Sequence, residues 1–172
     1  MMHAPLAPAL GCAGVEEGAM SESNVDIMKK LFEAGPRGDI ATIRACMSPD
    51  VVWITPAGIE LQFWSQGTFK GIDSVLKNVI GPAAQLFENF RLEADEHVEV
   101  GNRVISTGKF RGKAKNTGKE LDAVFAMFTT FKDGKIVLHR NITDTAAWLR
   151  ALGLELGKRA SLPLQPVAHA PH

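Results

Sequence analysis

The sequence predicts a single α+β domain: a strongly curved antiparallel sheet wrapped around a few N-terminal helices, enclosing a mainly apolar pocket. Three observations predict it. Between Ile27 and Ile80 the hydrophobic residues recur largely at helical spacing. From Phe90 onward the period changes to two, the pattern of strands with one buried face. The two-periodic segments are joined by Gly101-Asn102, Asn116-Thr117-Gly118 and Lys132-Asp133-Gly134. Turns this short join antiparallel neighbours. Helices grouped first and strands second put the helices on one sheet face. Long strands facing only a few helices must curl, which leaves a cavity on the concave side.

The elements follow in order. Ser23-x-x-Asp26 marks a helix start, with the serine as N-cap. Met28, Leu31, Phe32 and Gly35 share one face with Ile27 alongside, and Pro36 and Gly38 end the helix. Asp39 caps a second short helix that turns Ile40, Ile43 and Met47 inward and is closed by Pro49-Asp50. Val51 to Thr55 is a β-branched and aromatic run stopped by Pro56, hence a strand. Gly58 to Lys70 reads as an irregular loop or short hairpin. Ile72, Val75, Leu76, Val79 and Ile80 restore helical spacing, Gly81-Pro82 interrupts it, and Ala83 to Phe87 adds a turn or two. Four strands follow: Phe90 to Val100, Arg103 to Lys113, Glu120 to Phe131 and Ile136 to Thr143. Asp144 then caps a last short helix carrying Ala146, Ala147, Leu149 and Leu152, which Gly153 stops.

Composition narrows the function. The chain has 172 residues, 45% of them hydrophobic, enough for a core in one domain. Lysine plus arginine equals aspartate plus glutamate at 19 each. Such a balance carries no electrostatic footprint for nucleic acid or an anionic membrane. No apolar run is long enough to span a bilayer. Residues 1–20, rich in glycine and proline and without a basic start, are expected to be a disordered extension rather than a signal peptide, with Met20 an alternative start. Residues 156–172 are expected to form a disordered tail, leaving 21–155 as the domain. Cys12 and Cys46 form neither a disulfide framework nor a metal spacing, and the expected setting is the cytoplasm. No phosphate-binding glycine loop, serine elbow or metal cluster occurs, so no cofactor and no metal is expected.

Several segments together resemble the nuclear-transport-factor-2-like (NTF2-like) superfamily, in particular its SnoaL-like and ketosteroid-isomerase-like branch. They are Ile27 to Ala34 followed by Gly38-Asp39; Pro49-Asp50-Val51-Val52-Trp53; Thr117-Gly118-Lys119; Phe131 to Val137; and Asp144 leading into Leu149 to Gly153. The resemblance spans about residues 22 to 155. It implies a cone-shaped half-barrel and a homodimer packed through the convex sheet face. It does not carry over a mechanism. Ketosteroid isomerase uses an aspartate base with a tyrosine and a protonated aspartate. Those positions align with Thr55, Leu31 and Met127, and the chain contains no tyrosine at all. The aspartate–arginine–aspartate arrangement of limonene-epoxide-hydrolase relatives is also incomplete: Asn141 stands for one carboxylate, and Arg111-Gly112-Lys113 retains only the arginine. For polyketide cyclases of the SnoaL type, His139 and Asp144 are the residues that could resemble the acid–base pair.

Strand parity then places side chains, because residues two apart share a face. With Asn141 at an inward position of the resemblance, His139 and Thr143 also face the cavity. Trp53 and Thr55 share one face, as do Phe125 and Met127. The expected ligand site is therefore Trp53, Thr55, Trp64, Phe125, Met127 and Asn141, taking a small apolar ligand held by one or two hydrogen bonds. His139 is either a general acid or base or a histidine satisfied within the sheet. Asp144 either assists that histidine or is simply an N-cap. Arg111 and Lys109 either reach an anionic ligand or form the solvated side of their strand. The function expected is a small-molecule pocket protein, as a cofactor-free isomerase or polyketide-cyclase-type enzyme or as a non-catalytic binding or dimerisation module.

Overall fold

The computed structural model describes residues 22–56 and 67–154. Its elements are α1 (Asn24–Arg37), α2 (Ile40–Cys46), β1 (Met47–Ile54), β2 (Thr68–Lys70), α3 (Ile72–Val75), a π-helical turn (Leu76–Ile80), α4 (Gly81–Leu86), β3 (Phe87–Val100), β4 (Arg103–Ala114), β5 (Glu120–Lys132), β6 (Lys135–Thr143) and α5 (Thr145–Leu152). The caps read from the sequence hold the helix starts. Ser23 Oγ accepts the Asp26 N–H at 3.1 Å, and the Asp39 carboxylate accepts the Thr42 N–H at 3.1 Å. Each satisfies a donor that the first helical turn leaves unpaired.

The second helix departs from expectation. It ends at Cys46, and Met47, Pro49 and Asp50 already lie in β1. The β1–β6 ladder shifts register between Met47 and Val52, so the N–H that Pro49 lacks falls at an irregularity. Ile40, at the exposed start of α2, faces solvent, while Ile43 and Cys46 are buried. Gly81-Pro82 does not interrupt its helix. Pro82 has no N–H, and the Gly81 N–H reaches back to the Leu76 carbonyl, one residue further than in an α-helix. The wider turn carries the helix past the proline. Of the stretch expected as a loop or hairpin, Thr68–Lys70 is a strand paired antiparallel with β1, and 57–66, with Trp64, lies outside the described residues.

The six strands form one sheet in the order β2-β1-β6-β5-β4-β3. The meander β3 to β6 is antiparallel, but β1 runs parallel to β6, so the sheet is mixed rather than antiparallel throughout. Short turns dictate direction only between successive strands, and β1 meets β6 across the whole meander.

The curl has an identifiable cause. Two register shifts interrupt β3 against β4, one between Glu88 and Arg91 and one between Ala94 and Glu96. Gly112 stands opposite the first and Gly108 at the second. A Cβ on Gly108 would lie 2.1 Å from the Glu93 carbonyl oxygen and 2.8 Å from Phe125 Cζ. Bulges bend a strand, and glycine lets the neighbouring backbone close on the bend. Into the resulting concavity α1 presses Met28, Leu31 and Phe32, all buried. α5 closes one end with Trp148, whose ring lies against Phe87 and Phe110 at centroid distances of 5.4 and 5.1 Å. The β4–β5 turn tethers that helix: Asn116 Nδ2 donates to the Leu152 carbonyl at 2.9 Å, and the Thr117 hydroxyl donates to that of Ala151.

Candidate functional site

Between the helices and the concave face lies a cavity of about 80 Å³. Its helical side is formed by Leu31, Phe32, Gly35 and Pro36 of α1, by Val79 and Ile80 of the π-helical turn and by Ala83 of α4. The sheet side is Trp53 of β1, Thr55 just beyond it, Phe90 and Leu92 of β3, Phe110 of β4, Met127 of β5 and His139 and Asn141 of β6, with Trp148 of α5 at one end. Gly35, Pro36, Ile80 and Ala83 are half-buried and form the rim, whereas Trp53, Met127, His139 and Asn141 are buried at the floor. Among the described residues, no carboxylate, lysine or arginine stands in this wall.

The polar floor is built by strand adjacency. His139 is opposite Trp53 on β1 and opposite Thr129 on β5. Its imidazole stacks on the Trp53 indole at a centroid distance of 3.8 Å and an interplanar angle of 28°. Its Nδ1 is 2.9 Å from Thr129 Oγ1, and both residues are fully buried. Burial alone pushes the His139 pKa down to about 3, so the ring is neutral at physiological pH. Among the described residues, Gln85 Oε1, away from the cavity, and Nε2 of His139 and Oδ1 of Asn141 in its wall are buried without hydrogen-bond partners. Such atoms are rare in folded proteins because each forfeits its hydration.

The remaining predicted residues are placed as follows. Thr55 reaches the wall, but its hydroxyl exchanges 3.3 Å hydrogen bonds with the backbone of Gly67. Phe125 stands behind the wall, packed on Phe110 at 4.8 Å and edge-on to Phe32 at 5.8 Å. Asp144 is not brought to His139. Its carboxylate accepts the Ala147 N–H at 3.1 Å and approaches Arg150, the work of an N-cap. Thr143 turns its hydroxyl to the Val124 carbonyl and accepts from Trp148 Nε1 at 3.2 Å, which fixes the indole instead of lining the cavity. Arg111 pairs with Glu93 and Asp122, and Lys109 with Asp122, on the outer face. Thr129, Phe110 and the π-turn residues Val79 and Ile80 are not among the site residues that the sequence predicts. Among the described residues, no three His, Cys, Asp or Glu side chains gather closely enough to hold a metal ion.

A six-stranded curved, unclosed sheet around leading helices, with an apolar pocket between them, defines an NTF2-like fold. The family model of the SnoaL-like domain matches residues 28–139. The chain therefore belongs to the SnoaL-like domain family. It is 28% identical over 128 residues to the uncharacterized protein Rv0034 of Mycobacterium tuberculosis, covering 73% of this chain and 93% of that one. A crystal structure of an NTF2-like protein from Burkholderia pseudomallei is similar at 29% identity and a TM-score of 0.67, over 75% of this chain and 96% of that one. TerC, crystallised with polyporic acid, is similar at 25% identity and a TM-score of 0.67, over 76% of this chain and 98% of its own.

Proposed function

We propose that the chain takes a small, mostly apolar ligand into the cavity between α1 and the concave sheet. The observation that carries this reading is the pair of buried, unpartnered polar atoms, His139 Nε2 and Asn141 Oδ1, on the floor of an otherwise apolar pocket. Apolar walls with a few placed polar groups are the usual composition of small-molecule sites. A TerC-like partnership with an organic compound such as polyporic acid agrees with that composition. In the catalytic form of the reading, an isomerase or polyketide-cyclase-type reaction, His139 would exchange a proton with the ligand. A histidine held near pKa 3 is a poor acid–base catalyst at neutral pH, so binding is the stronger part of the proposal.

Native mass spectrometry of the purified protein tests this. The expected result is a co-purified small molecule, released by denaturation and absent from a Met127→Trp variant whose indole fills the floor. A protein that carries no adduct, and whose tryptophan fluorescence is unmoved by a panel of small cyclic compounds, would refute it. If turnover of the identified compound exists, His139→Ala abolishes it and Asp144→Asn does not.

A homodimer through the outer sheet face belongs to the same proposal. Val98, Val124, Phe128 and Ile142 are 41–61% exposed there together with Val100, and Val98, Ile105 and Phe128 are cross-strand neighbours. An apolar patch of this kind on a sheet suits association with a second copy. Phe128→Asp is expected to convert a dimer to a monomer in sedimentation analysis, with the same circular dichroism.

A further inference from the structure

The floor of the cavity also has a hydrogen-bonding polarity that restricts what it can hold. Thr129 is fully buried, and its hydroxyl has one hydrogen-bond partner among the described residues, Nδ1 of His139. A neutral imidazole carries one N–H and one bare nitrogen, while a hydroxyl both donates and accepts. Two arrangements are open. If Nδ1 carried the proton, the threonine would accept it. The threonine hydrogen would then have no acceptor, and Nε2 would be a second buried group without a partner. If the threonine hydroxyl donates to Nδ1, its hydrogen is satisfied, and the single group left over is an Nε2–H. The second arrangement leaves fewer buried groups unpaired, so it is favoured.

The imidazole stands on the concave face, with Nε2 on its distal edge, and it is one of the residues that wall the cavity. Among the described residues the same wall holds no charged side chain that could neutralise an ion, and a charge taken out of water without a partner is strongly disfavoured. Asn141, two residues along β6 and on the same face, adds an amide that can be turned to accept or donate.

From this we infer that the ligand is an uncharged compound carrying an acceptor oxygen, such as a carbonyl, that takes the Nε2–H of His139, with Thr129 as the positioning residue that fixes the tautomer. The inference rests on the ligand-binding reading above. It makes His139 a hydrogen-bond donor, not a proton donor: no bond to hydrogen breaks, and the ring stays neutral throughout.

The experiment has two independent arms. In the first, the protein is labelled with ¹⁵N-histidine and the His139 resonances are assigned by their loss in His139→Gln. Protonated and bare ring nitrogens resonate far apart, so the spectrum gives the tautomer without any ligand. A protonated Nε2 and bare Nδ1 are expected, with Thr129→Val shifting the ring towards the other tautomer. A protonated Nδ1 in the native protein would overturn the inference and leave the pocket reading standing.

In the second arm, binding of cyclohexanone, methylenecyclohexane and cyclohexanecarboxylate is compared by ligand-detected NMR. The first two have nearly the same shape and differ in the acceptor; the third carries a charge. Cyclohexanone is expected to bind roughly fivefold to tenfold more tightly than methylenecyclohexane, the ratio a single neutral hydrogen bond supplies, and the carboxylate least of all. Thr129→Val should lower that ratio while methylenecyclohexane binding is retained. Equal binding of the first two compounds to the native protein, or tightest binding of the carboxylate, would overturn the inference alone. Binding of none of the three would overturn the inference together with the reading beneath it.

Discussion

His139 should make the protein acid-sensitive over a window that can be calculated. Its ring is fully buried between Trp53 and Thr129, and burial holds its pKa near 3 against an ordinary value of 6.5. In the unfolded chain the same imidazole takes up a proton as pH falls below about 6.5. The folded protein refuses that proton until about pH 3. The unfolded state therefore binds more protons throughout the window, and stability falls as pH falls. The expected loss from this residue is about 1 kcal/mol at pH 5.5 and about 3 kcal/mol at pH 4.5, with a flat profile above about pH 7. The assay is urea unfolding followed by tryptophan fluorescence at pH 7.5, 5.5 and 4.5, on the native protein and on His139→Gln. The variant is less stable at pH 7.5, and the gap between the two proteins narrows by those amounts on acidification. His97, also held below its ordinary value by burial, and all the carboxylates are present in both proteins and cancel in the difference. Parallel profiles for the two proteins would refute the reasoning, because they would mean that folding does not oppose protonation of this ring.

Further expectations concern the frame around the site. Gly108→Ala should destabilise by about 3 kcal/mol or more, because its methyl would overlap the backbone of β3, whereas Gly112→Ala should cost only about 1 kcal/mol. The contrast follows from nearest approaches of 2.1 Å and 3.3 Å, and urea midpoints check it. Asp144→Ala should cost about 1 kcal/mol through the lost cap of α5 and leave ligand uptake unchanged. The same titration, repeated with the cyclic compounds, separates the two effects.

Much of the frame is legible in residue order because it depends on local chemistry. Ser23, Asp39 and Asp144 each sit three residues before the backbone N–H they accept, and that spacing is visible in any chain. The period-two segments and the Asp133-Gly134 turn announce the meander for the same reason. The site is less legible, because its floor depends on adjacency between distant strands. A two-residue turn after Lys132 pairs it with Lys135, and simple counting then sets Phe128 opposite His139. A register shift beyond Phe131 moves the pairing by one, so Thr129 faces His139 instead. No residue in that hairpin advertises the shift, and Thr129 stayed hidden behind it. Trp53 against His139 required the parallel β1–β6 pairing, which no turn between them could signal. The cavity-facing assignments of Trp53, Met127, His139 and Asn141 rest on parity within single strands together with the resemblance that sets Asn141 inward, and neither needs the pairing between strands. Asp144 lies one residue past the end of its strand, where parity no longer applies and capping takes over.

The π-helical turn between α3 and α4 gives one wall of the pocket a freedom that the sheet lacks. A turn of this kind holds one residue more than the α-helical turn it replaces, and each residue of an α-helix advances the side chains by about 100° around the axis. Removing a single residue between Leu76 and Ile80 would let the segment relax to an ordinary helix and sweep Val79 and Ile80 around to new bearings. The strands that carry His139 and Asn141 would not have to change their pairing. A one-codon deletion can thus recontour the side of the chamber that a ligand's apolar body would meet while leaving its polar anchor untouched.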